Sequence, residues 1–229
     1  GWSRNVNLNY NQGHWAKANQ QVNLNYRTGG LDLFSTIYVS ENNQYGKTTD
    51  IIRINGTDQW DIIINDTQTM KTRNLNLQAG FNYEINENHS FGMRYQPEKS
   101  LKDYIARSWG ENIASCNGAE ADWMDFNQNT QGKFGWDHSV NAYYAGIIGK
   151  WKIDFDADYL NNRKTENQIA EDESKQDIHS HTNSSSKLYA AKLQASVSLG
   201  KGKLSFGSEG TLTERLATFT QSGYSADAH

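Results

Sequence analysis

The chain has 229 residues, with 22 lysines and arginines against 26 aspartates and glutamates, so its formal net charge is −4. That balance excludes the basic footprint of a nucleic-acid-binding protein. A lone cysteine, Cys116, excludes an internal disulfide framework and any multi-cysteine metal site.

Aromatic residues make up 12% of the chain, which argues against disorder despite a mean hydropathy of −0.83. No run approaches the roughly eighteen apolar residues of a transmembrane helix. The opening GWSRNVNLNY lacks the charged start and apolar centre of a secretory leader.

From the N-terminus, Val6, Leu8 and Tyr10 alternate with asparagines, and so do Val22, Leu24 and Tyr26. The pentapeptide VNLNY stands at both 6–10 and 22–26, one code on two neighbouring strands. A glycine turn at Arg27-Thr28-Gly29-Gly30 leads into a strand over 31–40. The polar stretch 41–72 follows, where 47–54 and 59–66 (IIRI and WDIIIND) predict a hairpin extending a wall. Then Leu75, Leu77, Ala79, Phe81, Tyr83 and Ile85 alternate with Asn, Gln, Gly and Glu. Only a strand with one dry and one wet face explains that period of two.

Beyond the turn Asn86-Glu87-Asn88-His89 comes a strand over 89–97. The stretch 98–136 reads as a long loop with a helical turn or two within 101–114. Strands over 137–148 and 151–161 flank Gly149-Lys150, the second with Trp151, Ile153, Phe155, Ala157 and Tyr159 on its dry side. The stretch 162–186 is polar enough to read as a mobile loop. The strands 187–199 and 203–215 flank Gly200-Lys201-Gly202.

With 2–10 and 19–27 these make about nine strands of the 9–11 residues that a tilted membrane crossing needs. Short turns at one end and long loops at the other describe a transmembrane β-barrel. Tyr26, Phe34, Tyr83, Phe91, Trp151 and Phe206 sit beside the short turns, as an interfacial girdle requires. The predicted fold is all-β: an antiparallel up-and-down meander, part of a large transmembrane barrel.

Chemical motifs are sparse. Asp154-Phe155-Asp156-Ala157-Asp158 has the opening spacing of a calcium loop, but Tyr159 and Thr165 stand where glycine and glutamate are needed. Those carboxylates are expected on a polar lumen wall. His179 and His181 lack further ligands and are expected as solvated histidines. Ser115-Cys116-Asn117-Gly118 offers a thiol without a neighbouring base, and no nucleophile elbow or phosphate-binding glycine motif occurs.

No enzyme activity, metal or cofactor is therefore expected. Trp15, Trp60, Trp109, Trp123 and Trp136 all fall in predicted loops or extensions outside the spanning strands. Two readings of them stand: Trp60, Trp109, Trp123 and Trp136 stack on a sugar or peptide ligand, or they pack the loops into a cap.

The runs VNLNYRTGGLDLF, NLNLQAGFNYEINENHSFGMRY, KIDFDADY and KLYAAKLQASVSLGKGKLSFGSEGTLTE resemble the barrel of Gram-negative outer-membrane proteins related to TonB-dependent receptors. The resemblance covers most of the chain outside the long stretches. It implies nutrient binding and uptake at the cell outer membrane, with a periplasmic plug and a TonB-binding segment that no residues here match.

Such transporters have about 22 strands, so the chain is expected to be an internal barrel fragment. Its partners would be lipid and the rest of the barrel and plug, and its free strand edges would tend to self-associate. The alternative from another class is a soluble β-sandwich binding module for carbohydrate, with its apolar faces in a core. A polysaccharide-acting enzyme on a β scaffold is the third.

Overall fold

The computed structural model describes residues 1–172 and 177–223. Within them every regular element is a strand: β1 (Trp2–Gln12), β2 (Ala16–Thr28), β3 (Leu31–Asn55), β4 (Gln59–Asn86), β5 (His89–Ser100), β6 (Tyr104–Cys116), β7 (Ala119–Phe134), β8 (Trp136–Ile148), β9 (Trp151–Asp172), β10 (Asp177–Leu199) and β11 (Gly202–Ser222). All eleven belong to one antiparallel sheet, so the predicted fold class holds.

The order β1-β2-β3-β4-β5-β8-β9-β10-β11 leaves β6 and β7 aside, and the registers explain why. Asn74 pairs with Ser100 at the end of β5, and Lys71 pairs with Ile105 at the start of β6. β5 and β6 are thus successive stretches of one row along β4, parted by a bulge of two extra residues. β7 and β8 make a second such row along β9: Phe134 pairs with Lys164 and His138 with Asn161, a bulge of one residue. Across the breaks, Leu101 N–H donates to the Arg73 carbonyl at 2.7 Å and Gly135 N–H to that of Arg163 at 2.9 Å. Eleven strands therefore run as nine rows, the number expected from sequence.

The short turns stand where predicted. Gly29, Gly149 and Gly200 have φ of 52°, 64° and 60°, the left-handed region that glycine enters without a Cβ penalty. Arg27 and Asp32 close the first turn with an ion pair at 2.8 Å.

Within 41–72 the predicted hairpin of 47–54 and 59–66 does extend the wall, and strand pairing takes in the rest of that stretch. Two expectations fail: 98–136 and the described residues of 162–186 are not loops but mostly strand, and Tyr104–Cys116 is extended in β6 where the sequence predicts a helical turn. In 98–136 and in the described residues of 162–186 neither face is consistently apolar, so no dry face marks those strands in sequence. Antiparallel backbone pairing, up to Cys116↔Ala119, holds them without one.

Cross-strand registers place every alternating apolar residue on one face. Val22 meets Ile37, Ile37 meets Leu77, Phe81 meets Met93, Met93 meets Ala142, Ala142 meets Ala157, Ala157 meets Ala191. Nothing covers this face among the described residues. Val197 is the one buried hydrophobic side chain there, at 6% exposure, while Ile37, Leu193 and Leu212 stand 45%, 47% and 58% exposed. A β-sandwich would have laid a second sheet over Leu75, Leu77, Phe81 and Tyr83; the structure has a single sheet.

Candidate ligand-facing surface

On the opposite, polar face, side-chain amides and hydroxyls interlock across the strands. Thr36 Oγ1 and Gln21 Nε2 both donate to Asn23 Oδ1, at 2.9 and 3.0 Å. Gln96 Nε2 donates to Gln78 Oε1 at 2.9 Å, and Tyr143 OH to Asn82 Oδ1 at 3.0 Å. Asn141 Nδ2 bridges Asp156 and Asp158 at 2.7 and 2.8 Å. These carboxylates lie on the polar wall, as expected, and no metal-binding group of three or more His, Cys, Asp or Glu exists among the described residues.

Farther from the short turns, the same face holds a concavity of about 500 Å³. β3 and β4 supply Gln44, Gln68 and Met70, β6 supplies Tyr104 and Ser108, and β7 supplies Gln128 and Thr130. The volume suits a small ligand, and the lining is mainly neutral donors and acceptors beside aromatic rings, with Arg107 its one charged residue. Alternation alone brings the uncharged residues named above together, because every one carries an even number on a strand whose odd positions face away. Sequence reading missed them: they lie in stretches taken for loops.

The four tryptophans do not converge. Trp60 lies on the polar face at the far end of β4, beside Cys116. Trp109 and Trp123 lie on the other face, where Trp123 Nε1 donates to Glu111 Oε2 at 3.2 Å and Arg107 sits 4.9 Å from the Trp109 ring centre. Trp136 also lies there, with Lys99 Nζ 5.3 Å from its ring centre.

His179 and His181 lie in β10 instead of a loop. Asn167 and Asn183 occupy both ring nitrogens of His181, at 2.5 and 2.9 Å.

On the polar face, Glu98 and Asp137 face each other across β5 and β8, and Asp137 Oδ1 has no hydrogen-bond partner.

No known sequence family and no curated protein matches the chain. Among solved structures it is similar to the ferric yersiniabactin uptake receptor FyuA of Yersinia pestis, at 10% identity and a TM-score of 0.29, over 90% of this chain and 42% of the receptor. BauA, the ferric preacinetobactin receptor of Acinetobacter baumannii, is similar at 8% identity and 0.30, over 93% and 44%. The outer-membrane protease OmpT of Escherichia coli is similar at 9% and 0.26, over 95% and 84%. The chain thus spans under half the length of the two receptors, and likenesses this loose assign it no family.

Proposed function

We propose that this chain is part of the wall of an outer-membrane β-barrel, non-enzymatic and TonB-dependent-receptor-like, that binds and takes up a nutrient at the surface of a Gram-negative cell. One observation carries this reading: a single sheet with an uncovered apolar band of membrane height. On β4 the band runs from Leu75 to Ile85. Ten steps of about 3.4 Å, tilted by about 45°, give a height of about 24 Å, against the roughly 25 Å of lipid-facing bands in such barrels.

Aromatic residues edge the band on both sides. Trp2 and Tyr26, with ring centres 4.7 Å apart, Tyr83 with Phe91 at 5.7 Å and Trp151 with Phe206 at 5.9 Å flank the short-turn side. Tyr159 with Tyr189, at 5.1 Å, lies toward the other. Rings at these depths match the headgroup level. In lipid, strand pairing satisfies the backbone, the band meets acyl chains, and the polar face lines water. The strands beyond the band rise into solvent and present the Gln44–Thr130 concavity to a ligand. The remaining barrel wall and a plug are its partners.

The test is detergent dependence of folding. The chain is expected to show β-sheet circular dichroism and sediment as a defined species only with detergent or lipid. A folded, monodisperse protein in plain buffer would overturn the reading.

A further inference from the structure

Charge on the apolar face is unevenly placed. Within the band the one formal charge is Arg4, a step above the Trp2 level, where a long side chain reaches the interface. On the short-turn margin the face ends on rings and aliphatic side chains.

At and just beyond the opposite margin the same face carries at least one cation on each of five consecutive rows. They are Lys71 and Arg73 of β4, Lys99 of β5, Lys133 of β7, Arg163 of β9 and Lys187 of β10. Glu41 and Glu214 bound this run at its two ends, where Arg73 pairs with Glu41 at 3.7 Å and Lys187 stands opposite Glu214 in register; the one carboxylate inside it, Asp103, accepts from Gln131 Nε2 at 3.0 Å. Lys71, Lys99, Lys133 and Arg163 form no ion pair with a carboxylate of the described residues. Lys71 lies over Trp15 at 4.8 Å and Lys99 over Trp136, so aromatic faces steady two of the ammonium groups. A protein with a net charge of −4 thus concentrates positive charge in one belt, level with the headgroups beside its apolar band.

We propose that this belt binds the phosphate groups of an anionic lipid in the leaflet at the long-strand end of the wall. Five rows at about 4.8 Å span roughly 20 Å, wide enough for more than one headgroup. The band takes the acyl chains of the same lipids, so a single molecule is held at both ends. This assignment rests on the membrane reading above.

The experiment is flotation of the refolded chain with vesicles of phosphatidylcholine, with and without phosphatidic acid. The wild type is expected to bind the anionic vesicles at least about tenfold better, four basic residues each adding to the attraction. Replacing Lys71, Lys99, Lys133 and Arg163 together by Gln is expected to abolish this preference while leaving flotation with phosphatidylcholine unchanged. A control set on the polar face, with Arg94, Lys152, Lys192 and Lys203 changed to Gln, is expected to keep it.

Equal preference in wild type and belt variant, or equal loss in the control, would overturn the belt. So would loss of the preference in excess inorganic phosphate at constant ionic strength, which marks a free-phosphate site. Failure of the wild type to float with either vesicle, though folded, overturns the membrane reading itself.

Discussion

Leu193→Arg is expected to destabilise the lipid-embedded protein by about 2–4 kcal/mol, whereas Gln194→Arg, one residue on, is expected to change it by less than about 0.5 kcal/mol. Leu193 is central in the band on β10, beside Phe155, and is 47% exposed, a site that lipid covers in the proposed setting. A guanidinium at that depth loses its hydration and finds no partner. Gln194 points to the polar face, opposite Asp154, where a new cation meets a carboxylate and water. Urea unfolding from phosphatidylcholine vesicles measures both. Equal losses would show that the two faces share one environment, and the lipid-facing assignment would fall.

Gly92→Val is expected to cost about 1–3 kcal/mol through overpacking. A Cβ at Gly92 would stand 2.5 Å from the Tyr143 ring, 2.6 Å from the Phe81 carbonyl oxygen and 2.7 Å from Asn82 Oδ1. Tyr143 lies across the bare backbone of Gly92, its partner in register, and Phe34 lies likewise over Gly80. An aromatic ring covering a strand glycine fills the space that a side chain would take. Because one obstacle is the Phe81 backbone, adding Tyr143→Ala is expected to recover only part of the loss. Gly210 is the contrast: a Cβ there meets nothing within 4 Å. Gly210→Val is therefore expected to stabilise β11 by about 0.5 kcal/mol through lower chain entropy. The same unfolding assay reads all three.

The band and its turns were legible because each residue there answers to two environments. Leu75 to Ile85 alternates since one side is dry and the other wet, and Gly29, Gly149 and Gly200 are glycines because their φ demands it. Asn161 to Ala170 and Ser180 to Ser186 answer to water on both faces. Their polarity resembles a loop, and only the facing strand, residue for residue along Thr165↔Asn183 and its neighbours, keeps them extended. The concavity at Gln44, Gln68, Ser108 and Gln128 was hidden for the same reason, since its members are ordinary polar residues until the registers align them. The tryptophans misled differently. Their size suggested a shared ligand, yet odd or even position on each strand sends Trp60 to one face and Trp109, Trp123 and Trp136 to the other.

The nine rows have a directional consequence. β1 and β11 border the sheet, and both run away from the short turns. Brought together they would lie parallel, so the wall cannot be sealed by joining its own borders in an antiparallel seam. A second copy in the same orientation meets the same obstacle twice, since each border would again find a neighbour running its own way. Antiparallel closure requires strands descending beside both borders, and such strands come only in odd number. Parity of strand direction thus sets which walls can complete this one, before any side chain is consulted.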